Sequence, residues 1–331
     1  MLALQEVDQY DEFWAPWLID RGYGGVWKCR TAVTANKKDG CGLFYKLDKF
    51  DLVAKREIEY NDIAFGRPAG SERRAGGGGV GDASRSSDGA VSATSTVPTE
   101  MQTHLRDCVG VLALLRAKQR PEHHSGLVLV ASTHLFWDPR HADVKIAQAE
   151  RLLAEAGCFL ADNARRMGVD AVDDDNAASR ATKTTTPAIV IAGDFNSVPG
   201  SEVHARMLRG IDGFGGGAGL VSAYAAALAG GRVERPRGGA GEKRKAGEDA
   251  ECRQPTGAGA STWTPAVGSH GEPPHTNVTP GFTDCIDYVF VSDDVAVEAA
   301  EALPAIEAVA AGLPDHAHGS DHLPLTVTLA L

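Results

Sequence analysis

The sequence predicts an α/β sandwich, two packed β-sheets with helices outside. Three observations carry that expectation. Short apolar runs bounded by turn residues recur along the chain and read as strands. Only a few stretches, above all His141 to Met167, keep the spacing of an amphipathic helix. Hydrophobic residues make up 43% of the 331, enough for a sizeable core. Many strands with few helices point to layered sheets.

In chain order, Leu2 to Val7 is a strand that begins at the first residues. Residues 8–22 have helical spacing, with Phe13, Trp14, Trp17, Leu18 and Ile19, and end at Gly22. Gly25 to Cys29 is strand-like. The turn Lys38-Asp39-Gly40 leads into a strand over Cys41 to Lys46, and Phe50 to Tyr60 alternates as a half-exposed strand. Asp107 to Leu115 and Gly126 to His134 are strands. The long helix follows, with Val144, Ala147, Leu152, Phe159 and Leu160 among its apolar positions. Ala188 to Ala192 runs straight into Gly193-Asp194-Phe195-Asn196-Ser197, a buried strand ending in turn residues. A helix at about 200–210 comes next, then strands at Cys285 to Val291, around 294–300, and Leu323 to Leu331.

Three stretches break the pattern, at about 66–99, 168–186 and 230–260. Their Gly-rich, charged composition cannot bury enough apolar surface to offset ordering entropy, so they read as disordered insertions. Each lies between strong strand or helix signals, so the expectation is one domain over 1–331. The formal charge of −11 excludes nucleic-acid binding by bulk charge; a phosphate substrate needs local basic groups or bound cations. Six cysteines without a CxxC fit reduced thiols in a cytosolic or nuclear protein. No apolar run approaches the roughly 18 residues of a membrane span. The first residues do not form a secretory peptide, so the sequon at Asn277 is expected to stay unmodified. Lys243-Arg244-Lys245 is either a nuclear-import patch or solvated charge.

Side chains alternate along a strand, so Asp194 and Asn196 project to one side and Phe195 turns into the core. Alone, this pair reads equally as an Asx-capped strand end or as an active site. Other strand ends carry polar residues too: Gln5-Glu6, Thr133-His134, Asp287 and Ser320-Asp321-His322.

Together LQEV, STHLFWDP, GDFNS, DYVFVS and GSDHLPL resemble the endonuclease/exonuclease/phosphatase superfamily. They look most like its branch of carbon-catabolite-repressor-type deadenylases, with nocturnin and the Angel proteins. KKDGCGLFYK is similar to the branch's K-x-D-G-C-A-x-F-(Y/F)-K segment, HLFWDPRHADVKIAQ to its H-x-x-W-(D/N)-P-x-x-x-D-V-K-x-x-Q segment, and GDFNSVPGSEVH to its G-D-F-N-S-x-P-x-S-x-V. The resemblance implies a DNase I-like four-layer α/β sandwich of two packed mixed sheets with flanking helices. It also implies phosphoester hydrolysis with one or two magnesium (or manganese) ions. On that reading Glu6 is a hard oxygen ligand for the metal. Asp194 orients or deprotonates the attacking water, with Asn196 donating to the phosphate or holding Asp194. His134 and His322 donate to non-bridging oxygens, and Asp287 orients His322 and favours its protonated form. Asp321 is a further metal or water ligand. Pro139 and Phe282 match the pair that sandwiches a terminal adenine; from the residues alone they are also a turn proline and a core aromatic. Lys38 and Lys46 could contact backbone phosphate.

The chain departs from the family in one place. Family members have an earlier core strand ending in a metal-binding asparagine, which is missing here; either the sequence is truncated or this chain lacks that strand and ligand. The leucine-rich-repeat docking region of the large deadenylases is also not seen. The function implied is a magnesium-dependent 3′ exoribonuclease acting on poly(A) RNA as a monomer. Alternatives are a phosphatase or phosphodiesterase on a small adenine nucleotide (NADP(H) or 2′,5′-oligoadenylate) and an inactive scaffold.

Overall fold

The computed structural model describes residues 1–331 except 32, 35–36, 72–96, 120–125, 168–186, 213–218 and 235–265. The chain runs β1 (Leu2–Leu4), a π-turn at Tyr10–Trp14 leading into α1 (Ala15–Ile19), β2 (Tyr23–Cys29), β3 (Gly40–Lys46), β4 (Phe50–Glu59), β5 (Val109–Ala117) and β6 (Leu127–His134). Then come α2 (Ala142–Arg166), β7 (Ala188–Asp194), α3 (Glu202–Arg209), β8 (Leu220–Ser222), α4 (Ala223–Ala229) and β9 (Val233–Glu234). The hairpin β10 (Asn277–Thr279) and β11 (Phe282–Asp284) precedes β12 (Asp287–Ser292), β13 (Ala296–Glu301), α5 (Ile306–Val309) and β14 (Val327–Ala330).

The central layer is a six-stranded mixed sheet in the order β4-β5-β6-β7-β12-β8, in which β6 and β7 are parallel. Its apolar runs are continuous because both faces are covered. Leu129, Ile189, Ile191, Tyr288 and Phe290 pack on one side with Leu152, Phe159 and Leu160 of α2. Val128, Val130, Val190, Val289 and Val291 pack on the other with Val26, Leu43, Val297 and Ala300. That second face meets two three-stranded sheets, β1-β3-β2 and β14-β13-β9. The result is the expected sandwich, with the second layer divided in two.

Several local expectations change. The last strand is shorter than Leu323 to Leu331: Leu323 gives its N–H to Thr276 O (2.7 Å), and Pro324 has none to give to a ladder, so pairing resumes only at Val327. The insertion expected at 66–99 has folded ends. Gly70 N donates to Glu155 of α2 (3.1 Å), and Val97 is buried against Ala64 and Leu105. Of the insertion expected at 230–260, Val233–Glu234 pairs in parallel with β13, and 235–260 lies outside the described residues. The one expected at 168–186 and the Lys243–Lys245 patch lie outside the described residues. Helix α4 and the 277–284 hairpin carry no strong periodicity and were not expected. Among the described residues Cys29, Cys41, Cys108, Cys158 and Cys285 are free thiols, and no helix is long and apolar enough to cross a membrane.

Candidate active site

The site grows out of strand register. His134 is the last residue of β6, Asp194 the last of β7, and Asp287 the first of the antiparallel β12. His134 pairs across to Asp194, and Asp194 pairs across to Asp287. Residues directly opposite one another point to the same face. Three adjacent strands therefore present His134, Asp194 and Asp287 in one row, on the face shared with Val128, Val190 and Val289. Gly193 makes the close approach possible, since a Cβ there would meet Thr133 O at 2.0 Å.

Other segments bring the remaining groups. Val7 and Gly40 exchange both backbone hydrogen bonds at 2.9 Å, continuing the pairing of Leu4 with Gly42. Gln5 and Glu6 thus oppose the single residue Cys41, a β-bulge, with Glu6 at φ +54°. The bulge turns Glu6 into the cavity, while Gln5 Nε2 donates to Ser132 Oγ (3.1 Å). His322 is carried in by a bridge to Asn277. Phe282 is raised at the rim by the Pro280-Gly281 turn, with Gly281 at φ +87°.

All nine residues singled out from the sequence (Glu6, His134, Pro139, Asp194, Asn196, Phe282, Asp287, Asp321 and His322) line one open cavity of about 740 Å³. Phe282 is 43% exposed, so it is not a core aromatic. The lysines divide otherwise. Lys46 gives its ammonium to Arg21 O (2.7 Å) above the Tyr23 ring, and neither it nor Lys38 lines the cavity.

Asp194 is buried and heavily bonded. Its Oδ1 accepts the Asn196 N–H (2.7 Å) and its Oδ2 the Asn196 Nδ2 (3.1 Å). His134 Nε2 lies 3.3 Å from Oδ2. Burial, then the neighbouring Asp287 charge, raises the Asp194 carboxyl well above the usual range, and His322 opposes that rise. His322 Nδ1 lies 2.7 Å from Asp287 Oδ2 and its Nε2 3.9 Å from Asp194 Oδ2. Burial would lower its pKa, but the bond to Asp287 and the surrounding carboxylates win and lift it to about 9. His134 goes the other way: burial, then the Arg30 and His322 charges, push it down to about 3. One imidazole is therefore cationic at neutral pH and the other neutral.

Further residues of the cavity carry no role in the sequence reading. Lys145, buried on α2, donates to Asn196 O (2.7 Å) and fixes that residue in its left-handed conformation, φ +49°. It sits in the V-K-x-x-Q segment, which was the available signal. Trp137, 63% exposed, lines the cavity near Pro139. Asn277, the sequon residue, is only 5% exposed and lies in the cavity wall.

Ligand atoms of Asp194, Asp287 and His322 lie within 4.8 Å of one another, a group that could hold a metal ion. His322 as a cation is a poor ligand. The hard oxygen donors of the cavity, Glu6, Asp194, Asp287 and Asp321, fit a magnesium- or manganese-type ion better.

Known proteins agree with this architecture. The chain is 32% identical over 331 residues to Carbon catabolite repressor protein 4 homolog 4 of Arabidopsis thaliana, covering 98% of this chain and 64% of that protein. It is 26% identical over 341 residues to the CCR4-Not complex 3′-5′-exoribonuclease subunit Ccr4 of Yarrowia lipolytica, covering 98% of this chain and 40% of that one. The chain thus spans less than two thirds of the length of these relatives. In fold it is similar to ANGEL2, a 2′,3′-cyclic phosphatase solved with adenosine-2′,3′-vanadate (TM-score 0.57, 22% identity, 99% of this chain and 81% of that one). It is also similar to the human nocturnin catalytic domain (TM-score 0.51, 20% identity, 99% and 80%). A family model described as Endonuclease/Exonuclease/phosphatase family matches residues 1–322, and the chain belongs to that family.

Proposed function

We propose that the chain hydrolyses phosphoester bonds as a metal-dependent 3′-5′ exoribonuclease on adenine-rich RNA. The observation that carries this reading is the row His134–Asp194–Asp287, joined by His322 and Glu6 in one cavity with an aromatic rim. The relative named as a 3′-5′-exoribonuclease subunit supports the choice of reaction.

On this reading a bound Mg²⁺ or Mn²⁺, held by Glu6 with help from Asp321, would supply Lewis-acid polarisation of the phosphate. The chain's own groups do the rest. Asp194, its carboxyl already raised by burial, takes the proton of the attacking water. Asn196 holds Asp194 through both oxygens. Cationic His322, oriented by Asp287, and neutral His134 through Nε2–H donate to phosphate oxygens as charge develops. Pro139 and Phe282 take the terminal base between them, which supplies affinity without bulk positive charge.

A second reading is a phosphatase on a small adenine nucleotide, favoured by the rim, which offers walls for a single nucleoside. Digestion of a 5′-labelled poly(A) oligomer with Mg²⁺ should give a ladder shortened by single nucleotides, absent for Asp194→Ala. Phosphate release from NADP(H) or a terminal cyclic phosphate with no ladder would establish the second reading. No cleavage of any ribo-oligomer or phosphate ester would leave the inactive scaffold.

A further inference from the structure

Behind His134 stands a buried cation that no part of the reaction scheme uses. Arg30, the residue after β2 and 9% exposed, places its Nη2 2.9 Å from His134 Nδ1. Its Nε donates to Asp39 Oδ2 at 2.7 Å. Asp39 lies just before β3, and Arg30 N also donates to Asp39 O (2.9 Å). Asp39 thereby holds both the backbone and the guanidinium Nε of Arg30. The third nearby group is the Cys108 thiol, 3.7 Å from Nη1.

Hydrogen-bond chemistry fixes the consequence. A guanidinium has only donors, so Nδ1 of His134 has to be the acceptor. A neutral imidazole with an accepting Nδ1 carries its proton on Nε2. That nitrogen faces Asp194 Oδ2, 3.3 Å away. The order in space is Asp39, Arg30, His134, Asp194; the first two contacts are charge-assisted hydrogen bonds, and the last is the 3.3 Å approach of Nε2 to Oδ2.

We infer that Arg30, anchored by Asp39, is a positioning residue that locks His134 as the Nε2–H tautomer and so keeps a donor on the nitrogen that lies beside Asp194 in the cavity. It touches no substrate itself. The inference about catalysis rests on the hydrolase reading, while the tautomer is a property of the chain alone.

The test has two arms on the full chain. Long-range ¹⁵N–¹H correlation of histidine-labelled protein, with His134 assigned by loss of its signals in His134→Gln, reads the tautomer directly. The Nε2–H pattern is expected in the parent chain, and Arg30→Gln should mix the two tautomers. Arg30→Gln should also lower kcat on a poly(A) oligomer by about 10–100-fold with KM within about twofold, the size of one misplaced donor. Arg30→Lys, which keeps the charge but cannot reach both Asp39 and His134, should recover only part of that loss. Should Arg30→Gln fail to fold, Asp39→Asn frees the guanidinium without removing it and should give the same direction in both arms. A Nδ1–H pattern in the parent chain, or an unchanged tautomer in both variants, overturns the inference. A parent chain with the Nε2–H pattern but no hydrolysis overturns the functional reading and leaves the Arg30 assignment standing.

Discussion

His322 Nδ1 lies 2.7 Å from Asp287 Oδ2, and that contact reverses what burial would otherwise do to the imidazole. The pair spans two elements, the first residue of β12 and the segment bridged to Asn277, so it ties the last part of the chain to the central sheet.

A basic limb in the pH–rate profile follows. His322 donates only when protonated, so kcat/KM should fall as pH rises through about 9. Asp287→Asn should move that limb toward the ordinary histidine value, with the profiles compared at saturating metal.

The same pair makes a stability prediction. The folded-state pKa is raised, so the stabilisation is full below the unfolded value of 6.5 and is lost as pH rises through about 9. With its partial exposure, His322→Gln should cost roughly 2 kcal/mol at pH 6. Urea unfolding should find little difference between the two proteins at pH 10.

Asp194 pays in stability for its place in the row. Its carboxyl is raised by burial and by Asp287, so its ionisation opposes folding. Asp194→Asn should abolish hydrolysis, by roughly 10²–10⁴-fold, while raising the unfolding midpoint in metal-free buffer at pH 7. A variant both inactive and less stable would contradict this assignment.

Gly193→Ala should be among the costly single changes in the molecule. The added methyl would sit 2.0 Å from Thr133 O, and only separation of β6 and β7 relieves it. A loss of roughly 3 kcal/mol is expected in denaturant titration.

Phe282→Ala should leave stability within about 0.5 kcal/mol, because the ring is 43% exposed. It should raise KM for adenosine-ended oligomers by roughly 5–100-fold, the worth of one stacked base. A KM unchanged in Phe282→Ala would remove Phe282 from base stacking.

Much of this was legible in the sequence, and the limits have physical causes. Strand ends such as Asp194 and His134 announce themselves because an apolar run stops at a polar residue. The bulge at Gln5-Glu6 does not, since it depends on how β1 registers with β3. Arg30 is invisible for the same reason: its partner His134 is 104 residues away, and nothing local marks a cation as buried. Lys145 stands in the V-K-x-x-Q segment, but nothing local marks its contact with Asn196 O, 51 residues away. Helix α4, AYAAALA, has too little polar contrast for periodicity to register. The final strand was overextended because Leu323 is apolar, yet it is buried against Val278 and Leu313.

The row His134–Asp194–Asp287 gives the proposed reaction centre a ruler that the loops do not own. Neighbouring strands are held about 4.8 Å apart by their backbone ladders, whatever joins them. In chain order the stretch 168–186 falls between α2 and β7, and 235–265 between β9 and β10, so neither contributes a residue to the paired segments of β6, β7 and β12. The spacing of His134, Asp194 and Asp287 therefore follows from the backbone ladders and not from the length of chain that joins the strands.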